Sequence, residues 1–407
     1  MRAERLRGVG SVRLGALACV PVVAVAAALA AFTGVGRSAA PAQPITIGAL
    51  LSLTGGGDVY GPQQVKGAQL AVKQINAQGG VDGVPLKLVV RDDKSVPATG
   101  RSAMKQLIQH DGAVAVLGPS LSLVAVSADP LADQLQTPVV AVSNTANGIV
   151  GKCAYPCTYI WRDSLGEATA VPANIDQYAL ESHPSSAAIL YVDGDKLGID
   201  EARIAAASFG EEGVRVVADQ KLPATGDLRA SVTNALVGSP QVVFIGASFG
   251  ARAVDAMKQL RESGYYGPFL GGNTLNSATT GRLAGKVGAG SRSGAAWYDG
   301  NDFPANQQFI TAYEQTFNQP PDQFAAQAFV GVQIVADALK RGKIAASGKS
   351  VADERAALQK SLRQVALMTP LGPFRFTQDH DVAQIVWVLS MTADGGHTLA
   401  GFCDPSC

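Results

Sequence analysis

Charge is scarce in this chain of 407 residues, and what there is cancels. Only 16% of residues are Asp, Glu, Lys or Arg, with 33 acidic against 33 basic. Nucleic-acid binding needs a basic face to neutralise phosphates, and a balanced surface offers none. Histidine is rare too: the four, at positions 110, 183, 380 and 397, are scattered. The spacing of Cys153–Cys157 and Cys403–Cys407 is C-x3-C twice with no histidine nearby, which favours structural disulfides over zinc. The chain has no G-x-x-x-x-G-K-[ST] phosphate loop, so no nucleotide cofactor is expected, and no metal. After residue 32 no segment is apolar enough to cross a bilayer.

What the chain has in quantity is apolar and small residues, 47% hydrophobic with 45 Gly. The glycines sit between patterned apolar runs, which argues for tight turns rather than disorder. The N-terminus carries Arg2, Arg5, Arg7 and Arg13, then an unbroken apolar stretch from Leu14 to Phe32 and Ala40-Pro41-Ala42 before Gln43. That order is the one found in secretory signals. Residues 1–42 therefore read as a signal peptide or an N-terminal anchor. Cys19 after Ala16-Leu17-Ala18 loosely resembles a lipid-attachment box. All three readings put the folded part outside the cytoplasm, secreted, periplasmic or held at the outer face of the membrane. Four cysteines besides Cys19 agree with export; of three possible connectivities the sequence-local one, 153–157 and 403–407, is favoured.

Beyond the leader, strands and helices alternate. Ile45–Leu53, Leu86–Val90, Ala113–Leu117 and Pro138–Val142 read as strands. Between them Val65, Ala68, Val72 and Ile75, then Ala103, Met104, Leu107 and Ile108, then Val124–Leu135, recur at helical spacing. The scheme restarts with strands at Ala187–Val192, Val214–Asp219, Val242–Gly246 and Phe269–Gly271, and helices at 201–209, 228–236 and 252–261. Such alternation implies parallel sheets covered on both faces. Two runs of it predict an α/β protein of two doubly wound, Rossmann-like lobes. The tail differs: helices at 306–317 and 324–340, then Phe374–Phe376 and Gln384–Met391 alternating like antiparallel strands about an Asp379-His380-Asp381 turn.

The residues Ile47-Gly48-Ala49, Leu53-Thr54-Gly55, Tyr60-Gly61, Gly67–Val72 and Ile75–Val81 resemble the opening of the branched-chain amino-acid binding proteins, type I periplasmic binding proteins that serve ABC importers. Leu88–Asp93, Val116–Pro119, Ala325–Phe329 and Leu371–Pro373 extend the resemblance over about 44 to 395. It implies two lobes joined by a three-stranded hinge, with crossovers near Asp163, Tyr298 and Gly372. Lobe 1 would then comprise 43–163 and 298–371, and lobe 2 would comprise 164–297 and 372–407. It implies hinge closure on a small ligand, permease subunits in the membrane as partners, and a monomer.

Ligands of open α/β sheets bind at the carboxyl ends of strands. There the resemblance matches Tyr60 in the first strand–helix loop. It also matches Ser122 after the Gly118-Pro119 turn, and Ser143, Asn144 and Thr145 after the strand ending at Val142. Ser122 is equally compatible with a helix N-cap and 143–145 with a polar turn. The second lobe departs from the family pattern. Leu197 and Ser248 stand where aromatics are usual, and Asn273 stands where an acidic residue usually pairs with the ligand's ammonium. A desolvated ammonium needs a charge partner. The expected ligand therefore carries a carboxylate, amide or similar group, with the ammonium half of the site in question. Trp297 and Phe324 read either as its apolar wall or as core.

One motif points elsewhere. Gly246-Ala247-Ser248-Phe249-Gly250 is G-x-S-x-G after a strand and before a helix, the setting of a serine-hydrolase nucleophile. Asp322 or Asp337 with His380 or His397 would complete a triad, although His380 reads as an exposed hairpin tip. The main reading is not an enzyme. A ligand-sensing domain without transport is the third class.

Overall fold

The computed structural model describes residues 43–345 and 350–403. The expected signal or anchor, and Cys19 and Cys407, lie outside the described residues. The first sheet has the order β2-β1-β3-β4-β5, all parallel, from β1 (Ile45–Leu51), β2 (Leu86–Asp92), β3 (Ala115–Leu117), β4 (Val139–Ala141) and β5 (Ile160–Arg162). The helices α1 (Gly61–Ala77), α2 (Pro97–Gln109) and α3 (Ser122–Gln134) connect them. Strands covered on both faces read as continuous apolar runs, and β1, β3 and β4 are buried almost throughout.

The second sheet has the order β15-β14-β10-β9-β8-β6-β7. Its parallel part comprises β6 (Ser186–Val192), β7 (Arg215–Leu222), β8 (Val242–Gly246), β9 (Phe269–Gly271) and β10 (Arg292–Ala295). These alternate with α4 (Glu167–Ser182), which precedes β6, and with α5 (Lys196–Glu211), α6 (Arg229–Leu236), α7 (Gly250–Glu262) and α8 (Ala278–Ala284). The helix at 201–209 proves longer because Asp195 accepts the Leu197 amide and caps α5 five residues before the periodic pattern starts. The edge is completed by two antiparallel strands, β14 (Val386–Met391) and β15 (His397–Cys403).

Three helices follow β10: α9 (Pro304–Phe317), α10 (Gln323–Arg341) and α11 (Val351–Leu362). They bury Phe309, Tyr313, Phe329, Ile334 and Leu358 in the core of the first sheet. Thus the chain leaves the first sheet after Arg162, returns after Ala295, and rejoins the second at Val386. This interleaving makes the two-lobed fold discontinuous in sequence.

The tail departs from expectation in two ways. A small antiparallel sheet, β11 (Ala366–Thr369), β12 (Gly372–Phe376) and β13 (Val382–Ala383), forms first, and β12 turns back on β13 while β14 joins the second sheet. Phe374 and Phe376 pack in the core shared with Trp161 and the first sheet, so 372–383 does not sit with the strands of the second lobe as expected. His380 is no exposed tip either. It is buried, stacks on Trp161 with ring centroids 3.7 Å apart, and its Nδ1 lies 3.1 Å from the Ile160 carbonyl oxygen. Burial of that ring lowers its pKa. The Cys153–Cys157 pair forms a disulfide. Cys403 is also disulfide-bonded; its expected partner Cys407 lies outside the described residues.

Candidate functional site

The carboxyl ends of β1, β3 and β4 face those of β6, β8 and β9. At the end of β3 the backbone turns through Gly118, at φ +103°, where a Cβ would stand 2.1 Å from the Leu50 carbonyl oxygen. Only glycine fits there, and the turn delivers Ser120, Leu121 and Ser122 to the cleft. Ser122 opens α3 without capping it: the N-cap is Leu121, with no side-chain cap bond, and Ser122 Oγ accepts the Ala146 amide at 3.2 Å.

Six of the eight expected site residues come together. Tyr60, Ser122, Ser143, Leu197, Ser248 and Asn273 line one cavity, completed by Ser120, Leu121 and Phe324. Phe324 both lines this cavity and belongs to the buried core, its ring 4.7 Å from that of Tyr60. Trp297 does not line this cavity; its indole donates to Asn306 Oδ1 at 2.7 Å and meets Phe309 edge-on. Asn144 and Thr145 stand behind the wall. Asn144 Nδ2 donates to the Pro119 carbonyl at 2.7 Å, bracing the β3 turn, and Thr145 Oγ1 donates to Glu167 at 2.7 Å.

The lobes are bonded across this cavity. The Tyr60 hydroxyl reaches the Ser248 carbonyl oxygen at 2.7 Å and the Thr274 hydroxyl at 3.0 Å. Asn273 Nδ2 donates to the Ser143 carbonyl at 3.1 Å, and Asn273 Oδ1 accepts from Gln323 Nε2 at 2.6 Å. What remains between the walls is about 10 Å³, room for roughly one water molecule. An amino acid enters only if the lobes part.

On the first-lobe wall, Gln64, Ser120 and Ser143 form a closed polar chain. Gln64 Nε2 donates to Ser143 Oγ at 2.6 Å, Ser120 Oγ donates to Gln64 Oε1 at 2.5 Å, and Ser143 Oγ donates to the Ser120 carbonyl at 2.7 Å. Gln64 and Ser120 carried no sequence signal beyond polarity within an apolar helix face and a turn.

The second-lobe wall rests on carboxyls. Asp195 accepts from both the amide and the hydroxyl of Ser248. Glu167 Oε1 accepts the Asn273 amide at 3.1 Å and the Thr145 hydroxyl, and Glu201 Oε2 accepts the Ala247 amide at 3.0 Å. Their other oxygens converge on Gly272, where a Cβ would stand 2.0 Å from Glu201 Oε1 and 2.8 Å from Glu167 Oε2. Neither oxygen has a partner among donors of the described residues. Burial raises both carboxyls, and the facing charges raise Glu201 further, which favours a proton on the pair. Burial also raises Asp195 and drives the Tyr60 phenol far up. Asn273 is no acidic residue, but three buried carboxyls lie immediately behind it and behind Ser248. The available signal was an acidic residue at the start of two second-lobe helices, Glu167 in α4 and Asp195 before α5.

Among the described residues no histidine reaches Ser248 at the G-x-S-x-G turn. Ser248 Oγ donates to Asp195, whereas His380 is stacked on Trp161 and His397 Nε2 lies 3.0 Å from the Leu275 carbonyl oxygen. Asp337 is paired with Arg341, and Asp322 caps α10. Among the described residues no cluster of three His, Cys, Asp or Glu is placed to hold a metal ion, and no helix is long and apolar enough to cross a membrane.

Comparison with known proteins bears on the same region. The chain is 27% identical over 352 residues to Leu/Ile/Val-binding protein homolog 3 of Brucella melitensis biotype 1, covering 86% of this chain and 91% of that one. Its fold matches the branched-chain amino acid transporter substrate binding protein LivJ of Streptococcus pneumoniae, solved with isoleucine (TM-score 0.77, 23% identity, 88% of this chain and 99% of that one). It equally matches the ABC transporter solute binding protein of R. palustris solved with benzoate (TM-score 0.76, 21% identity, 88% and 96%). The sequence model of the periplasmic binding proteins matches residues 44–396 of this chain, nearly everything after the N-terminal apolar stretch, and the protein belongs to that family.

Proposed function

We propose that the protein is the extracytoplasmic solute-binding component of an ABC importer and that it closes its two lobes on an amino-acid-like zwitterion. One observation carries the ligand class: hydroxyls and a helix start line one wall of the cavity, and buried carboxyls back the Asn273 and Ser248 that line the other. A carboxylate is best held by the first-lobe wall, where the hydroxyls of Ser120, Ser122 and Ser143 sit at the start of α3, the positive end of a helix dipole. An ammonium is best held toward Glu167, Glu201 and Asp195, whose negative field Asn273 and Ser248 relay. The acidic function absent at position 273 is supplied, though not in place, by these buried carboxyls, which an ammonium would draw toward their ionised form. Tyr60 and Phe324 pack the ligand's apolar part.

Binding is a population shift. The interlobe bonds of Tyr60 and Asn273 stabilise closure by themselves, and ligand adds to them only in the closed state. The lobes in this reading are 43–163 with 298–383, and 164–297 with 384–403. A permease recognises the closed outer surface, and ATP is hydrolysed by a separate subunit. The N-terminal segment delivers the folded part to the outer side of the membrane as a cleaved or anchored leader. The protein works as a monomer.

The test is a thermal-shift panel of amino acids, aliphatic and aromatic acids, and amides. Ligand at about a thousand times its dissociation constant stabilises by roughly 4 kcal/mol. Shifts with branched-chain or related amino acids support the zwitterion. Shifts confined to benzoate-like acids that carry no ammonium refute it and restore the simple reading of Asn273 as a neutral wall. Titration of the responsive compound into Ser122→Ala and Ser143→Ala variants then assigns it to this cleft.

A further inference from the structure

A second cavity, of about 230 Å³, lies on the far side of the Gln323–Asn273 hydrogen bond. It is built from both lobes: the Pro320–Gln323 segment that opens α10, Asn276 with Ala278 and Arg282 at the start of α8, the Trp297–Asp299 crossover and the turn between β14 and β15. We propose that this cavity is a binding site for an organic ammonium ion with a compact apolar body, separate from the solute cleft.

Asp322 is the anchor. Its Oδ1 accepts the amides of Phe324 and Ala325 at 3.1 and 3.0 Å and caps α10. Its Oδ2 makes no hydrogen bond among the described residues, although the side chain is only 5% exposed and lines the cavity. A desolvated carboxylate oxygen without a donor costs free energy that a cationic donor recovers. Burial pushes this carboxyl up to about 6, and the amides of Ala325, Ala278 and Phe324 with the Arg282 charge offset only part of that cost. Nearby charges favour a cation. Asp299 and Asp394 add two carboxylates, Arg282 is the one cation on the lining, and burial keeps His397 below its usual range and neutral. Trp297 and Tyr298 supply aromatic faces, which attract ammonium ions and accept an apolar body.

The site also has a consequence for closure. Because Asp322 moves with α10 and Asp394 with the turn between β14 and β15, a cation seated between them touches both lobes and favours their closed arrangement. Gln323, which partitions the two cavities, donates to Asn273 of the solute cleft and accepts the Ala296 amide of the crossover at 2.8 Å. Occupancy of one cavity is thereby felt in the other.

Benzylamine is the probe, with benzyl alcohol as its neutral counterpart, titrated calorimetrically into the purified protein near pH 7.5. Saturable binding of benzylamine, at least about tenfold tighter than benzyl alcohol, is expected. Asp322→Asn keeps the helix cap, since Asn caps as well as Asp, but removes the charge; it should weaken benzylamine at least about tenfold. Arg282→Gln removes the competing cation and should tighten it several-fold. Ser122→Ala in the solute cleft should leave it unchanged. No saturable binding of benzylamine, equal binding of the alcohol, indifference to Asp322→Asn, weakening by Arg282→Gln, or loss in Ser122→Ala would each overturn the proposal.

Discussion

Replacing Asp322 by Asn should make the protein more stable at neutral pH, and the size of the gain can be worked out. The carboxyl is buried and pushed up to about 6 from 3.8, so the folded chain retains a proton that the unfolded chain releases. Stability from this group is full below about pH 4 and lost as pH rises through about 6. A shift of about 2 units corresponds to roughly 3 kcal/mol. Between about pH 5 and pH 7.5 roughly half of that, ~1.5 kcal/mol, disappears. At about 2.1 cal/mol/K per residue, a chain of this length unfolds with an entropy near 0.8 kcal/mol/K, so the melting temperature of the wild type should fall by about 2 °C from this source alone. The Asn variant retains Oδ1 for the amides of Phe324 and Ala325 but cannot ionise. The difference in melting temperature, variant minus wild type, should therefore grow by about 2 °C from pH 5 to pH 7.5, measured by scanning calorimetry. A difference that is constant with pH, or that shrinks, refutes the assignment of Asp322 as a desolvated and unpaired carboxylate.

Other outcomes follow from the cleft. Tyr60→Phe removes the hydroxyl that reaches Ser248 and Thr274 across the lobes; losing about 1 kcal/mol of interlobe bonding shifts the open–closed balance about fivefold toward open. Small-angle scattering should show a larger radius of gyration without ligand, and an unchanged radius with unchanged affinity would count against Tyr60 as a latch. Glu201→Gln replaces the shared proton with a permanent N–H donor to Glu167. Wild-type stability falls as pH rises through the raised pKa of the pair, because the proton between them is lost, and this part of the slope should vanish in the variant. Melting curves from about pH 5.5 to 8.5 check it, and an identical slope in both proteins would exclude the shared proton.

The sequence determined the architecture because its signals are local. Apolar runs of strand length between helical periodicities dictate parallel sheets covered on both faces, and the break between two such runs dictates two lobes. It likewise placed Tyr60, Ser122, Ser143, Leu197, Ser248 and Asn273 at strand ends, where a cleft between two such sheets must lie, and six of the eight named positions line it. A local disulfide, Cys153–Cys157, was legible from spacing.

What only the tertiary structure decided depends on segments distant in the chain. His380 is buried because Trp161, more than two hundred residues earlier, offers it a ring face, and nothing in Asp379-His380-Asp381 encodes that partner. Asn144 and Thr145 turn away from the cavity to the Pro119 carbonyl and to Glu167, acceptors that adjacency in sequence does not predict. Most of all, the carboxyls behind the second-lobe wall were not legible. Position 273 alone reads as neutral, yet Glu167, Asp195 and Glu201 are brought behind it by a crossover and two helices. Electrostatic environment is set by burial and by all neighbours in space, whereas sequence reports a side chain's identity and its neighbours along the chain.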